Sequence, residues 1–69
     1  MTQGEAEVAA YIAHINNDMA SWNANVQAAR SSGFSAVDLQ QRIDLLEQVA
    51  LRDVVSATCA KFWRAVIQT

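Results

Sequence analysis

RSSGFSAVDL, residues 30–39, interrupts an otherwise continuous helical pattern, and the fold follows from how that interruption is read. Gly33 suits the left-handed position that follows a helix end. Ser35 is a good N-cap, and Asp38, three residues later, has capping-box-like spacing. Phe34 before the cap and Leu39 beyond it have the spacing of a hydrophobic staple. One helix therefore ends just before this stretch and another begins just after it.

Working outward, the chain has no proline, and its two glycines are Gly4 and Gly33. Alanine, glutamine and leucine are common, and β-branched residues never alternate with polar ones, so both flanks read as helix. Thr2 and Glu5 repeat the capping spacing at the N-terminus. The pattern predicts an all-α, single-domain chain over 1–69: a two-helix antiparallel hairpin with a helix at about 3–31, a loop at 32–35 and a helix at about 36–68. It leaves open whether the second helix is continuous through LRDVV (51–55).

The first flank carries Val8, Ile12, Ile15, Met19, Trp22, Val26 and Ala29 at alternating spacings of 4 and 3, a heptad seam. The second carries Leu39, Ile43, Leu46, Ala50, Val54 and Ala57. One antiparallel register pairs Val26 with Leu39, Trp22 with Ile43, Met19 with Leu46, Ile15 with Ala50, Ile12 with Val54 and Val8 with Ala57. Small Ala50 and Ala57 then face large Ile15 and Val8, a sensible packing.

That register leaves a second apolar group on the far side of the second helix: Leu45, Val49, Leu51, Val55, Cys59, Phe62, Trp63, Val66 and Ile67. It also leaves Trp63 to Thr69 overhanging the first helix. Leaving the whole group in water would forfeit on the order of 10 kcal/mol. A patch of this size marks an interaction surface. A second copy is the simplest partner, because two hairpins packed on their second helices make a four-helix bundle. Arg42, Glu47, Arg52 and Arg64 fall at the rim of such an interface. Small size argues the same way. A chain near 60 residues buries only roughly 60% of its unfolded surface and needs a staple. The single cysteine, Cys59, permits no internal disulfide and suits a reducing, cytoplasmic compartment.

Composition bounds function further. The net charge of −2 comes from seven acids and five bases. Arg30, Arg42, Arg52, Lys61 and Arg64 are interleaved with Asp44, Glu47 and Asp53, so no basic stripe for nucleic acid forms. The N-terminus has no basic segment followed by an apolar run, and no run approaches the roughly 20 residues of a membrane helix. His14, Asp18, Ser21 and Asn25 form one polar stripe. It resembles a catalytic set in residue type, yet it lacks an oxyanion hole and a pocket and reads as a solvated face. His14 and Asp18 have i, i+4 metal spacing but no third ligand. Cys59, on an apolar face, reads as a small buried residue rather than a reactive thiol. Neither catalysis nor any cofactor is expected. Asn16, Asn17, Asn23 and Asn25 are poor helix formers. They read either as an exposed face or as a polar contact surface.

Two resemblances follow. The layout is similar to the Rop family of plasmid regulators, two-helix hairpins that dimerise and bind RNA, and SATCAKF (56–62) looks like the end of the second helix there. The length, the helical layout and the lack of an active site also resemble the small phage-encoded quorum-sensing anti-activators of Pseudomonas phages. That second resemblance implies a homodimer in the host cytoplasm. It would bind the DNA-binding domain of a LuxR-type activator and the assembly ATPase of type IV pili. The combined expectation is a non-enzymatic protein-binding inhibitor with no direct nucleic-acid or membrane partner. Its competitors are a Rop-like RNA regulator and a purely structural dimerisation module.

Overall fold

The computed structural model describes residues 1–68, which form four helices: α1 (Gln3–Ile15), α2 (Met19–Ser31), α3 (Ala36–Val49) and α4 (Val54–Ile67). The chain is all-α, as expected, but it is not a two-helix hairpin, because each of the two expected long helices is cut in half. A straight helix of about 29 residues would be roughly 43 Å long at 1.5 Å per residue. The longest dimension here is 28 Å.

The middle connection is the one the sequence announces. Gly33 has φ 75°, the left-handed geometry, and the Ser35 side chain accepts a hydrogen bond from the Asp38 amide. The two other corners are built differently. At the first, Asn17 sits at φ 53°. Its amide donates to the His14 carbonyl, and the Asp18 amide donates to the Ala13 carbonyl. This is a Schellman ending with asparagine in place of glycine. Asp18 at once caps α2, accepting from the Ser21 amide at 3.0 Å and the Ser21 hydroxyl at 2.6 Å. At the second corner, the Val49 carbonyl accepts from the amides of both Arg52 and Asp53. Asp53 then caps α4, taking the Val55 amide and the Ser56 hydroxyl. The open question about LRDVV thus resolves to a break.

α4 is the hub, packing against each of the other three helices. Its buried residues, Ser56, Thr58, Cys59, Ala60, Phe62, Trp63 and Val66, form a broad face turned to the other helices, while Lys61 and Arg64 stand on the exposed remainder. Phe62 and Trp63 are fully buried, so the expected overhang of Trp63 does not exist. Trp63 packs edge-to-face against Phe34, and Phe62 packs the same way against Trp22. Aromatic pairs at such geometry add about 0.5–1.5 kcal/mol each beyond the area they bury. The end of α4 is held by Arg30, whose guanidinium donates to the carbonyls of Ala65, Val66 and Gln68. It thereby satisfies carbonyls that a helix end leaves open.

The expected register does not form: among the described residues α2 and α3 do not pack directly on each other, and both pack on α4 instead. Trp22, Val26, Ala29, Leu39, Ile43 and Leu46 are core residues. Val8, Ile12, Ile15, Met19 and Val54 are exposed.

Candidate interaction surface

α1 is amphipathic in the opposite sense to its hydropathy. It buries Ala6, Ala10 and Ala13 at 2, 0 and 4% exposure and leaves Val8, Ile12 and Ile15 at 61, 50 and 59%. Both stripes have the same i, i+4, i+7 spacing, so either could face inward. The bulk of Phe62 and Trp63 on α4 decides between them. Small alanine side chains let α1 come close to a core that already holds two large aromatics.

One polar clamp supplements this contact. Glu7, on the inner side of α1, is 9% exposed. Its carboxylate accepts from the Trp63 indole N–H at 2.7 Å and from two Arg42 nitrogens at 2.8 and 2.9 Å. Burial pushes the Glu7 pKa up. The bonds from Arg42 and Trp63 and the charge of Arg42 outweigh that and hold it below the ordinary carboxylate value. The Arg42 pKa is raised, mainly by its bond to Glu7. Arg42 is thus an internal strut between α3 and α1 rather than part of an interface rim. No buried side-chain nitrogen or oxygen among the described residues lacks a partner.

Between α1 and α4 runs an open groove of about 300 Å³, walled by Val8, Tyr11, Ile12 and Val55 with Gly4, Glu7 and Cys59 on its lining. Its pairings show that α1 and α4 are antiparallel. Glu7 meets Trp63, and Ile12 shares the groove wall with Val55. Beyond Val55 stands the α3–α4 corner, where Leu51 is fully exposed and Val54 two-thirds exposed. Exposed aliphatic side chains thus line the outer side of α1 as far as Val55, and a separate exposed pair stands at the corner.

The sequence-expected interface residues divide. Leu45, Val49, Leu51 and Val55 are exposed. Cys59, Phe62, Trp63 and Val66 are buried within the chain itself, and Ile67 is partly buried against the core. The last five belong to the monomer's core rather than to a surface awaiting a partner. Glu47 and Arg64 are exposed and paired with each other, and Arg52 is exposed on the corner. The face that reasoning from sequence missed is α1's Val8–Ile12–Ile15 stripe, which it had assigned to the hairpin core.

The polar stripe has structural work. Asp18 and Ser21 are bonded to each other in the α2 cap, which holds the Asp18 pKa below its ordinary value. His14 lies near Tyr11 and Trp22, with ring centroids 6.3 and 6.4 Å away. No group of three or more His, Cys, Asp or Glu side chains among the described residues could hold a metal ion. Burial, seconded by the negative charge of Glu7, pushes the Cys59 thiol up to about 11, which suppresses the nucleophilic thiolate. No described helix is long and apolar enough to cross a membrane.

No family model, curated protein or solved structure matches this chain.

Proposed function

We propose that the protein is a small non-enzymatic, protein-binding inhibitor that acts as a homodimer in a host cytoplasm. It would be a phage product that occludes a LuxR-type quorum-sensing activator, with the type IV pilus assembly ATPase as a second target. The supporting observation is the reversed amphipathicity of α1. α1 turns its alanines inward and keeps Val8, Ile12 and Ile15 at least half in water. Covering the exposed part of each would gain about half of the roughly 1.5–3 kcal/mol that full burial of such a side chain brings. Contiguous exposure of this kind on a small protein marks a contact surface for another protein.

The cations favour a protein partner over RNA. Arg30 caps α4, Arg42 is held by Glu7, and Arg64 pairs with Glu47. Lys61 lies over the Trp22 ring at 5.9 Å. The basic side chains are committed to the fold or dispersed, and no phosphate-tracking stripe is left.

A mobility-shift assay tests the inhibitor reading. Added protein should release a LuxR-type activator from its operator DNA, and a pull-down should retain that activator's DNA-binding domain. Failure to release or retain it would reject the anti-activator assignment. A direct shift of RNA that weakens steeply with salt would move the assignment to an RNA regulator.

A further inference from the structure

We infer that the outer face of α1 is the homodimer seam, packed antiparallel against the same helix of a second copy with Ile12 beside the two-fold axis. This rests on the reading of the exposed aliphatic surface as a protein interface and assigns one occupant to it.

Three features single out a second copy. The first is charge. Along the stripe Val8, Ile12, Ile15 the neighbouring positions are Ala9 and Asn16, and the acid on that side of α1, Glu5, stands at its outer end in the cap with Thr2. A two-fold interface places every group near its own copy, so a charged centre would repel itself and a neutral one does not. The second is symmetry of spacing. An axis passing between Tyr11 and Ile12 sets Val8 of one copy opposite Ile15 of the other and brings the two Ile12 side chains together, so aliphatic side chains meet along the stripe. The third is area. At roughly 100 Å² of apolar area per aliphatic side chain taken wholly out of water, Val8, Ile12, Ile15 and Val55 present on the order of 200 Å². A standard interface covers about 800 Å² per partner, of which somewhat over half, roughly 450 Å², is apolar. The stripe and groove wall supply about half of that share, the scale of a small, reversible dimer interface.

Helix-on-helix packing fits the local shape. The stripe lies on one helix, and the α1–α4 groove beside it is an open recess that a second helix can pack over.

Sedimentation equilibrium across the micromolar range tests the inference with wild type, Ile12→Glu, and Val37→Glu as an exposed aliphatic control on α3. Wild type and Val37→Glu should sediment at twice the 7.6 kDa chain mass. Ile12→Glu, which brings two carboxylates to the axis, should sediment as a monomer. Its dissociation constant should rise at least about a hundredfold while its helical circular dichroism stays unchanged. Independently, Ile12→Cys should form a disulfide-linked dimer on oxidation. Wild type, whose one thiol is the buried Cys59, should not. A monomeric wild type, a dimeric Ile12→Glu, or an Ile12→Cys that stays unlinked would each overturn the inference. If Ile12→Glu loses its helical signal, the Ile12→Cys oxidation decides. A monomeric wild type whose Ile12→Glu variant no longer retains the activator domain would assign the face to that target, leaving the protein-binding reading standing without the dimer.

Discussion

Replacing Glu7 with alanine probes the most interior polar contact in the molecule. The change strips the acceptor from the Trp63 indole N–H, which is fully buried. An orphaned buried donor costs about 1–3 kcal/mol. Arg42 also loses two charge-assisted bonds. Its side chain is 38% exposed and rehydrates, so this contribution is discounted to under about 1 kcal/mol. The expected loss is about 2–3 kcal/mol, a large part of the stability of so small a domain. Urea denaturation followed by circular dichroism should show a lower midpoint with an unchanged slope. The thermal midpoint should drop on the order of 10–20 °C, at roughly 4–8 °C per kcal/mol for a domain of this size. Glu7→Gln, which keeps an oxygen for Trp63, should lose only about half as much. Combined with Trp63→Phe, Glu7→Ala should cost markedly less than the two single changes added together, because the donor it orphans is gone. A loss below about 0.5 kcal/mol for Glu7→Ala, or strict additivity in the double variant, would refute the clamp.

The same carboxylate sets an acid limit. Glu7, Asp18, Asp53 and Glu5 all have folded pKa values below their ordinary ones. The unfolded chain therefore takes up protons first, so stability is full above about pH 5 and falls as pH drops through the folded values. The urea midpoint should decline below that pH, and less steeply in Glu7→Gln; a flat profile in wild type would contradict the assignment. At the first corner, Asn17→Gly should be neutral or stabilise by up to about 1 kcal/mol, because glycine adopts positive φ without a Cβ penalty. Asn17→Val should destabilise by about 1–2 kcal/mol in the same urea assay. At the second corner, Asp53→Ala should cost about 0.5–2 kcal/mol as a lost N-cap. Cys59 should react with a thiol reagent slowly at neutral pH and rapidly once the chain is unfolded in urea.

How much of this was legible in the sequence varies from corner to corner. Gly33 and Ser35 carry signals specific to a helix stop and start, and both sit where those signals place them. The corners at Asn16–Asp18 and Ala50–Asp53 lack glycine and proline. Their hints were residue types that cap as well as they decorate a surface: Asn-Asn-Asp before Ser21, and Asp53 before Ser56. Read as an exposed face, Asn16 and Asn17 let the heptad seam run straight through them. The orientation of α1 was not legible either, because its alanine and aliphatic stripes have identical spacing. Hydropathy favours burying the aliphatics. The bulk that fills the core comes from far along the chain, at Phe62 and Trp63, and the alanines are the side of α1 that packs toward it. Glu7 meets its partners across 35 and 56 residues, a pairing no local pattern contains. What the sequence did convey correctly was that the second half holds too many apolar groups for one face. The excess is absorbed by the molecule's own centre.

The alanine lining of α1 also bears on how such a protein can change over time. The core contacts this helix mainly through three methyl groups and one carboxylate, while its outer stripe is half or more exposed and meets its own chain along the groove beside Val55 and Cys59. Substitutions at positions 8, 12 and 15 can therefore alter what the surface recognises with little disturbance of the packing beneath. Recognition and foldability occupy interleaved positions on a single 13-residue helix, yet they are free to drift separately.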